Sequence, residues 1–302
     1  MARRKIKFDF YQCKVASSNP QLPVRSADDI FAALTNAFAG GQTTVRAVNR
    51  TQFDVRHISQ TDYGYRGVIG KYRAADLPHA AAPGGEEREI PLEENERLLE
   101  KCYFKYFSDY SLLIIQRNRY AINSKQLSSY LTANSYTFSL DPVIEAADLL
   151  RLMRNEVHIR TLSVKIARPT NPALFQNIEH DFNNSIIQSL NASNGASVNI
   201  TFRGDGHSSD PERRYLDSRL KRAMLEMKEK FDLQSAKLML EEGDVSHPLD
   251  LVADRLTHDV DIELDGRYPS PNSMWNAIME SRTEKEAELA NYFGALDADR
   301  IV

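Results

Sequence analysis

The stretch "YFKYFSDYSLLIIQRNRY", Tyr103 to Tyr120, constrains the fold more than any other. In an extended chain Tyr103, Lys105 and Phe107 fall on one side and Phe104 and Tyr106 on the other, so aromatic rings occupy both faces. Leu112, Leu113, Ile114 and Ile115 then follow with no alternation at all. A strand that is apolar on both sides has to be covered on both sides. The segment therefore predicts central strands with a layer packed against each face, and it assigns most of these aromatics to a core rather than to an exposed platform for stacking bases. A second strand, "RYAIN", is expected directly after "YSLLIIQ", with Arg117 and Arg119 exposed at the junction and well placed to meet phosphate.

The remaining text supplies both kinds of element. "KIKFDFYQCKV" alternates Ile6, Phe8 and Phe10 with Lys5, Lys7 and Asp9, the pattern of a half-buried strand. "SADDIFAALTNAFAGG" predicts a helix capped by Ser26, with Asp28 and Asp29 in its first turn, Gly40-Gly41 at its end, and Ile30, Leu34 and Phe38 on the buried face. Residues 43–72 are rich in Val, Thr, Phe and Tyr with spaced glycines and predict a meander of strands. "PLEENERLLEKC" is expected to be helical or an extended entry to the sheet, and Ser124 to cap the short helix "SKQLSSYL". Further on, "YTFSL", "VHIRTLSVKIAR", "SVNITF", "SAKLMLEE" and "HDVDIELDG" predict strands. Helices are expected from Asp141-Pro142, from Asn171-Pro172 with the stripe Leu174, Ile178, Phe182, Ile186 and Leu190, from Pro211 to Phe231, and from Ser270-Pro271.

A strand-rich first third followed by alternating strands and helices predicts an α+β fold, mixed sheets with flanking helices and a long C-terminal helix. "AADLPHAAAPGGEERE" has two prolines, a Gly-Gly pair and little to bury. It predicts a linker over 77–90, between a strand-rich domain over 1–76 and a mixed domain over 91–302. No run of about eighteen apolar residues suggests membrane insertion, and the basic start "MARRKIKF" leads into no apolar segment of the secretory kind. Cys13 and Cys102, far apart, make neither a disulfide framework nor a paired metal motif and point to a reducing, cytoplasmic setting.

Catalytic signatures are sparse. "RGDGHSS" lacks the third glycine and the GK[ST] ending that a phosphate-cradling loop requires. There is no GxSxG, and "NIEHDF" is not HExxH. No catalytic residue, cofactor or metal site is assigned. Asp259, Asp261, Glu263 and Asp265 share one face of an expected strand. Such a ladder either holds a hard cation, as in a metal-dependent nuclease, or is the solvated face of an edge strand that discourages pairing with another chain.

Charge is unevenly distributed. Residues 232–302 carry 16 Asp or Glu and 6 Lys or Arg, a net of −10, against +6 for residues 1–231. Arg3, Arg4, Lys101, Lys105, Arg117, Arg119, Lys125, Arg154, Arg160, Arg214, Lys221, Arg222 and Lys228 are the candidates for contact with a nucleic-acid backbone, where cations release counterions. Arg214, Lys221 and Lys228, seven residues apart, are expected along one helix stripe. On the closing helix Met274, Trp275, Ile278 and Met279 form an apolar patch, a candidate interface with a second copy of the chain as well as a contact with the chain's own core.

The start "KIKFDFYQ", the block "IPLEENERLLEKCYFKYFSDYSLLIIQRNRYAINSKQLSSYL", the join "LSVKIARPTNPALFQ" and "VDIELDG" before the last helix carry a resemblance. In element order the chain resembles bacterial phage-defence and phage-exclusion proteins of the RexA-like and KwaB-like (Kiwa) type, or a related uncharacterised bacterial defence family. The resemblance implies a bacterial, non-enzymatic defence protein that binds DNA and self-associates, with a partner protein of a defence system as a further candidate partner. It brings no catalytic residue with it. Two other readings stand beside it: a metal-dependent nuclease using the acidic strand, and an interaction module whose acidic end mimics DNA.

Overall fold

The long first strand organises the molecule. The structure, a computed structural model, describes residues 2–298 except 18, 20, 145, 168–177, 232, 244 and 253–254. Strand β1 (Arg3–Ser17) pairs β12 (Thr257–Asp265) over its first half, β7 (Tyr136–Pro142) over its second, and β6 (Leu112–Gln116) along its other edge. Beyond β6 come β5 (Leu98–Phe107), β4 (Gly64–Arg73), β3 (Thr51–Thr61) and β2 (Arg46–Val48), while β13 (Tyr268–Pro269) closes the β12 side. A second sheet runs β11 (Val245–Asp250), β10 (Leu233–Glu242), β8 (Val157–Ala167) and β9 (Ser197–Arg203). All the described pairings are antiparallel. The fold is therefore α+β, as the mixed pattern of periods implies.

Alternation distributes the side chains of the large sheet between two cores. Tyr11, Cys13, Ile69, Cys102, Phe104, Tyr106, Leu113 and Ile115 face helices α1 (Ala27–Ala39) and α2 (Ser124–Leu131). Phe8, Phe10, Tyr103, Phe107, Leu112 and Ile114 face the small sheet and the helices α3 (Ala146–Met153), α4 (Asp181–Ser193), α6 (Leu220–Lys230), α7 (Pro271–Glu284) and α8 (Glu286–Ala298). The short helix α5 (Pro211–Arg214) precedes α6. The aromatics of Tyr103–Phe107 are core on both faces, and burial holds the Cys13 and Cys102 thiols well above their usual range.

Several local expectations change. The loop after β4 joins two neighbouring strands, since Lys71 pairs Glu100 and Arg73 pairs Leu98. Residues 1–76 and 91–302 thus share one sheet, and the 77–90 segment is a surface loop within it, closed by a bridge between Ala80 and Arg88. Pro, Gly and small residues mark a loop equally well whether it separates domains or strands. Of "PLEENERLLEKC" the first seven residues are irregular and Leu98 onward enters β5 extended, so the non-helical alternative holds; "RYAIN" is a turn leading to α2, whose cap is Asn123 instead of Ser124. Pro142 ends β7, and Lys14 holds Asp141 in the strand at 2.7 Å, so the next helix begins only at Ala146. Helix α1 has the expected Ser26 cap, which Asp29 completes into a capping box, but it buries Ala27, Phe31 and Leu34, with Ile30 and Phe38 only packed against the core. The Pro211–Phe231 segment breaks after Arg214, where Tyr215 is extended. The closing segment breaks at Lys285 into α7 and α8 rather than forming one long helix. Asn171, Pro172 and Leu174 lie outside the described residues.

Candidate nucleic-acid interface

The expected positive surface does not form as a whole, because much of the acidic end neutralises it. Arg3 pairs Glu263 at 3.1 Å, Lys7 pairs Asp259 at 3.2 Å, and Arg154 pairs Glu242 at 3.4 Å. Arg160 and Arg214 both reach Glu241, at 3.0 and 2.7 Å. Three further candidates are buried: Lys105 donates to Met279 Sδ at 2.9 Å, Lys221 to the Arg154 carbonyl, and Lys228 to the Pro142 carbonyl at 2.9 Å. Arg214, on α5, shares no helix stripe with Lys221 and Lys228 on α6. Arg117 chelates Asp9 through Nε and Nη2. Arg4, Lys101, Arg119, Lys125 and Arg222 remain exposed.

The acidic ladder of β12 meets a cationic one. Arg3, Lys5 and Lys7 of β1 stand in register with Glu263, Asp261 and Asp259. Among the described residues no group of three His, Cys, Asp or Glu is arranged to hold a metal ion. The α7 patch also turns inward: Met274 and Ile278 are fully buried, Trp275 packs its ring against His57 and Tyr103 beneath the Arg66 guanidinium, and Met279 covers Lys105. Met274 and Ile278 therefore belong to the chain's own core, and Trp275 and Met279 are partly buried against it.

One surface does gather unpaired cations. On the α1/α2 side of the large sheet lies a groove of about 630 Å³, lined by Arg50, Lys71, Arg73, Arg97, Arg119 and Tyr120, with no Asp or Glu in its walls. None of its five cations makes an ion pair among the described residues. Lys71 and Arg73 continue the alternation of buried Ile69 past the end of the core, so the period that buries Ile69 delivers two cations to the same face. Glu100 stands opposite Lys71 in the ladder without pairing to it.

Each remaining cation is presented by a built turn. Asn49 and Arg50 both have positive φ, 48° and 67°, between the paired residues Val48 and Thr51. That is the two-residue hairpin turn in which Gly is favoured at the second position and a long side chain is strained. Arg97 donates through Nη1 to the Glu94 and Glu96 carbonyls at 2.9 and 2.6 Å, and Arg73 to the Ala75 and Asp76 carbonyls. Asn118 fixes the last turn: its amide donates to the Lys101 carbonyl and its side-chain oxygen accepts from the Tyr120 N–H, both at 3.1 Å. Tyr120 is 48% exposed, with the Arg119 guanidinium 4.5 Å from its ring centre. Of the sequence candidates only Arg119 lines this groove. Arg50, Lys71, Arg73 and Arg97 do not stand out in the sequence, because they are spread over a hairpin turn, the end of β4 and the segment before β5, far apart along the chain.

Beside the groove is a smaller cavity of about 200 Å³ that shares Lys71 and Arg119 with it. Its floor is Asp9, only 5% exposed, held by Arg117 and by Arg255, whose Nε is 3.4 Å from Asp9 and whose Nη1 donates to the Tyr11 hydroxyl at 3.1 Å.

Fold and groove together define an α+β protein with a concentration of cationic side chains on one side of its larger sheet. The chain belongs to DUF6731, a family of unknown function whose model matches residues 1–285. No curated protein matches the chain.

Proposed function

We propose that the chain binds single-stranded nucleic acid, DNA in the first instance, in the groove between the β2–β3 turn, the end of β4 and the Asn118–Tyr120 turn. The observation that carries this is the convergence of Arg50, Lys71, Arg73, Arg97 and Arg119 on one wall system free of carboxylates. Cations without a carboxylate partner keep their net charge available to phosphate, whereas those already bonded to carboxylates would have to break a pair first. Tyr120 is half exposed with the Arg119 guanidinium over its ring, and an aromatic–guanidinium pair of this kind stacks on an unpaired base rather than on the edge of a duplex.

The test is a fluorescence-anisotropy titration of single-stranded DNA, single-stranded RNA and duplex DNA over a salt series. Five phosphate contacts on a single strand give log K against log salt a slope of roughly −3.5. Binding that ignores salt, or that survives Lys71→Gln, Arg73→Gln and Arg119→Gln together, overturns the reading. An anti-phage role for this binding follows from the sequence resemblance alone. Plating phage on bacteria that express the chain or its triple variant tests that role separately.

A further inference from the structure

We infer that the smaller cavity receives a terminal phosphomonoester of the strand lying in the groove, so that the protein recognises a nucleic-acid end. The inference rests on the groove reading and deepens it. Because Lys71 and Arg119 line both spaces, a strand following the groove is led to the cavity mouth. At about 200 Å³ the cavity is below the range of roughly 300–1,000 Å³ typical for whole small-molecule ligands, and it suits one compact group.

The walls are set for an anion. Lys71, Arg117, Arg119 and Arg255 stand against one acid, Asp9. Asp9 is already engaged: Arg117 binds it through Nε and Nη2, and Arg255 approaches it through Nε. The carboxylate therefore acts as a positioning residue. It fixes two guanidinium planes while Arg117 Nη1 and Arg255 Nη2 make no hydrogen bond among the described residues. Pre-oriented guanidiniums of this type recognise phosphate oxygens by charge-assisted bonds. The wall also includes Asn123 and Ser124 at the start of α2, where the helix adds partial positive charge. A terminal monoester carries about −1.5 to −2 charge, more than an internal diester, so it gains most from this concentration of cations.

The experiment compares otherwise identical DNA oligonucleotides bearing a 5′-phosphate, a 3′-phosphate or hydroxyls at both ends, with adenosine monophosphate as a competitor. One phosphorylated end is expected to bind about tenfold more tightly than the hydroxyl strand, the size of one or two added charge-assisted hydrogen bonds. Arg255→Gln is expected to abolish that preference. The preference is a ratio measured on one preparation, so loss of part of the protein to misfolding does not change it. Equal binding of all three strands overturns the end-recognition inference and leaves the groove reading standing. Binding of none overturns both. Adenosine monophosphate competing as well as the phosphorylated strand assigns the cavity to free nucleotides and overturns the strand-end assignment.

Discussion

Arg117 closes on Asp9 across the β1–β6 pair, its Nε 2.9 Å from one carboxylate oxygen and 3.0 Å from the other. The pair turns a cation that would otherwise face solvent into a fixed wall of the small cavity, and Arg255 leans on the same carboxylate from the far side of the chain. Removing the acid would leave two guanidiniums crowded without a counter-charge. Asp9 is buried while both arginines are partly exposed, so the usual cost of breaking a buried pair is discounted. Asp9→Ala is expected to destabilise the protein by about 2 kcal/mol, measured by urea unfolding. A loss below about 0.5 kcal/mol would show that the pair is not a structural tie.

Arg50 occupies a left-handed position, with φ of 67°, that glycine fills without strain. For other residues that conformation costs roughly 1–2 kcal/mol, partly offset by the entropy an added glycine gives the unfolded chain. Arg50→Gly is therefore expected to stabilise the protein by about 0.5–1 kcal/mol in thermal melts while weakening its affinity for single-stranded DNA. A variant that is both more stable and equally tight would remove Arg50 from the interface.

The groove and the neutralised surface make opposite predictions for charge removal. Lys71→Gln and Arg97→Gln should each reduce the magnitude of the salt slope by about 0.7, the value of one phosphate contact on a single strand. Arg3→Gln and Arg154→Gln should leave it unchanged, because Glu263 and Glu242 already hold those side chains. Tyr120→Ala should cost about 1–3 kcal/mol of binding through lost stacking while preserving the slope. Anisotropy titrations at several salt concentrations distinguish the three classes.

Glu241 gathers the Tyr215 hydroxyl and Arg214 at 2.7 Å each, with Arg160 at 3.0 Å. The Tyr215 hydrogen bond first, then the Arg214 hydrogen bond and the charges of Arg214 and Arg160, hold its carboxyl below the usual glutamate value of 4.5. A depressed folded-state pKa contributes stability that is complete above the unfolded value and disappears as pH falls through the folded one. The urea midpoint should therefore fall on acidification below about pH 4.5, and Glu241→Gln should flatten that fall. An identical pH profile in the variant would show that other carboxylates carry the acid sensitivity.

Wherever one period decides, the fold could be read from the chain. The two-faced aromatics of Tyr103–Phe107, the unbroken run Leu112–Ile115 and the Ser26 cap each admit one local structure, and each is found. Boundaries set by competition could not be read in this way. The Pro211 helix has an unbroken apolar pattern, yet it breaks where Tyr215 turns out to bond Glu241, twenty-six residues away in the chain. The patch Met274, Trp275, Ile278 and Met279 has the same spacing whether it covers a sheet or a second subunit, and only packing assigned it to the sheet.

By itself the sequence determined that this protein is α+β, with central strands covered on both faces, because alternation and helical spacing are properties of neighbouring residues. It also fixed how many cations there are. Which of them stay unpaired was decided only by the tertiary structure. Strand register sets Arg3 against Glu263 and Lys7 against Asp259, and β10 carries Glu241 to Arg160 and Arg214, while the end of β4 and the connections that hold Arg50, Arg97 and Arg119 bring five cations around one groove. Attraction between charges depends on distance in space, and distance along the chain does not record it.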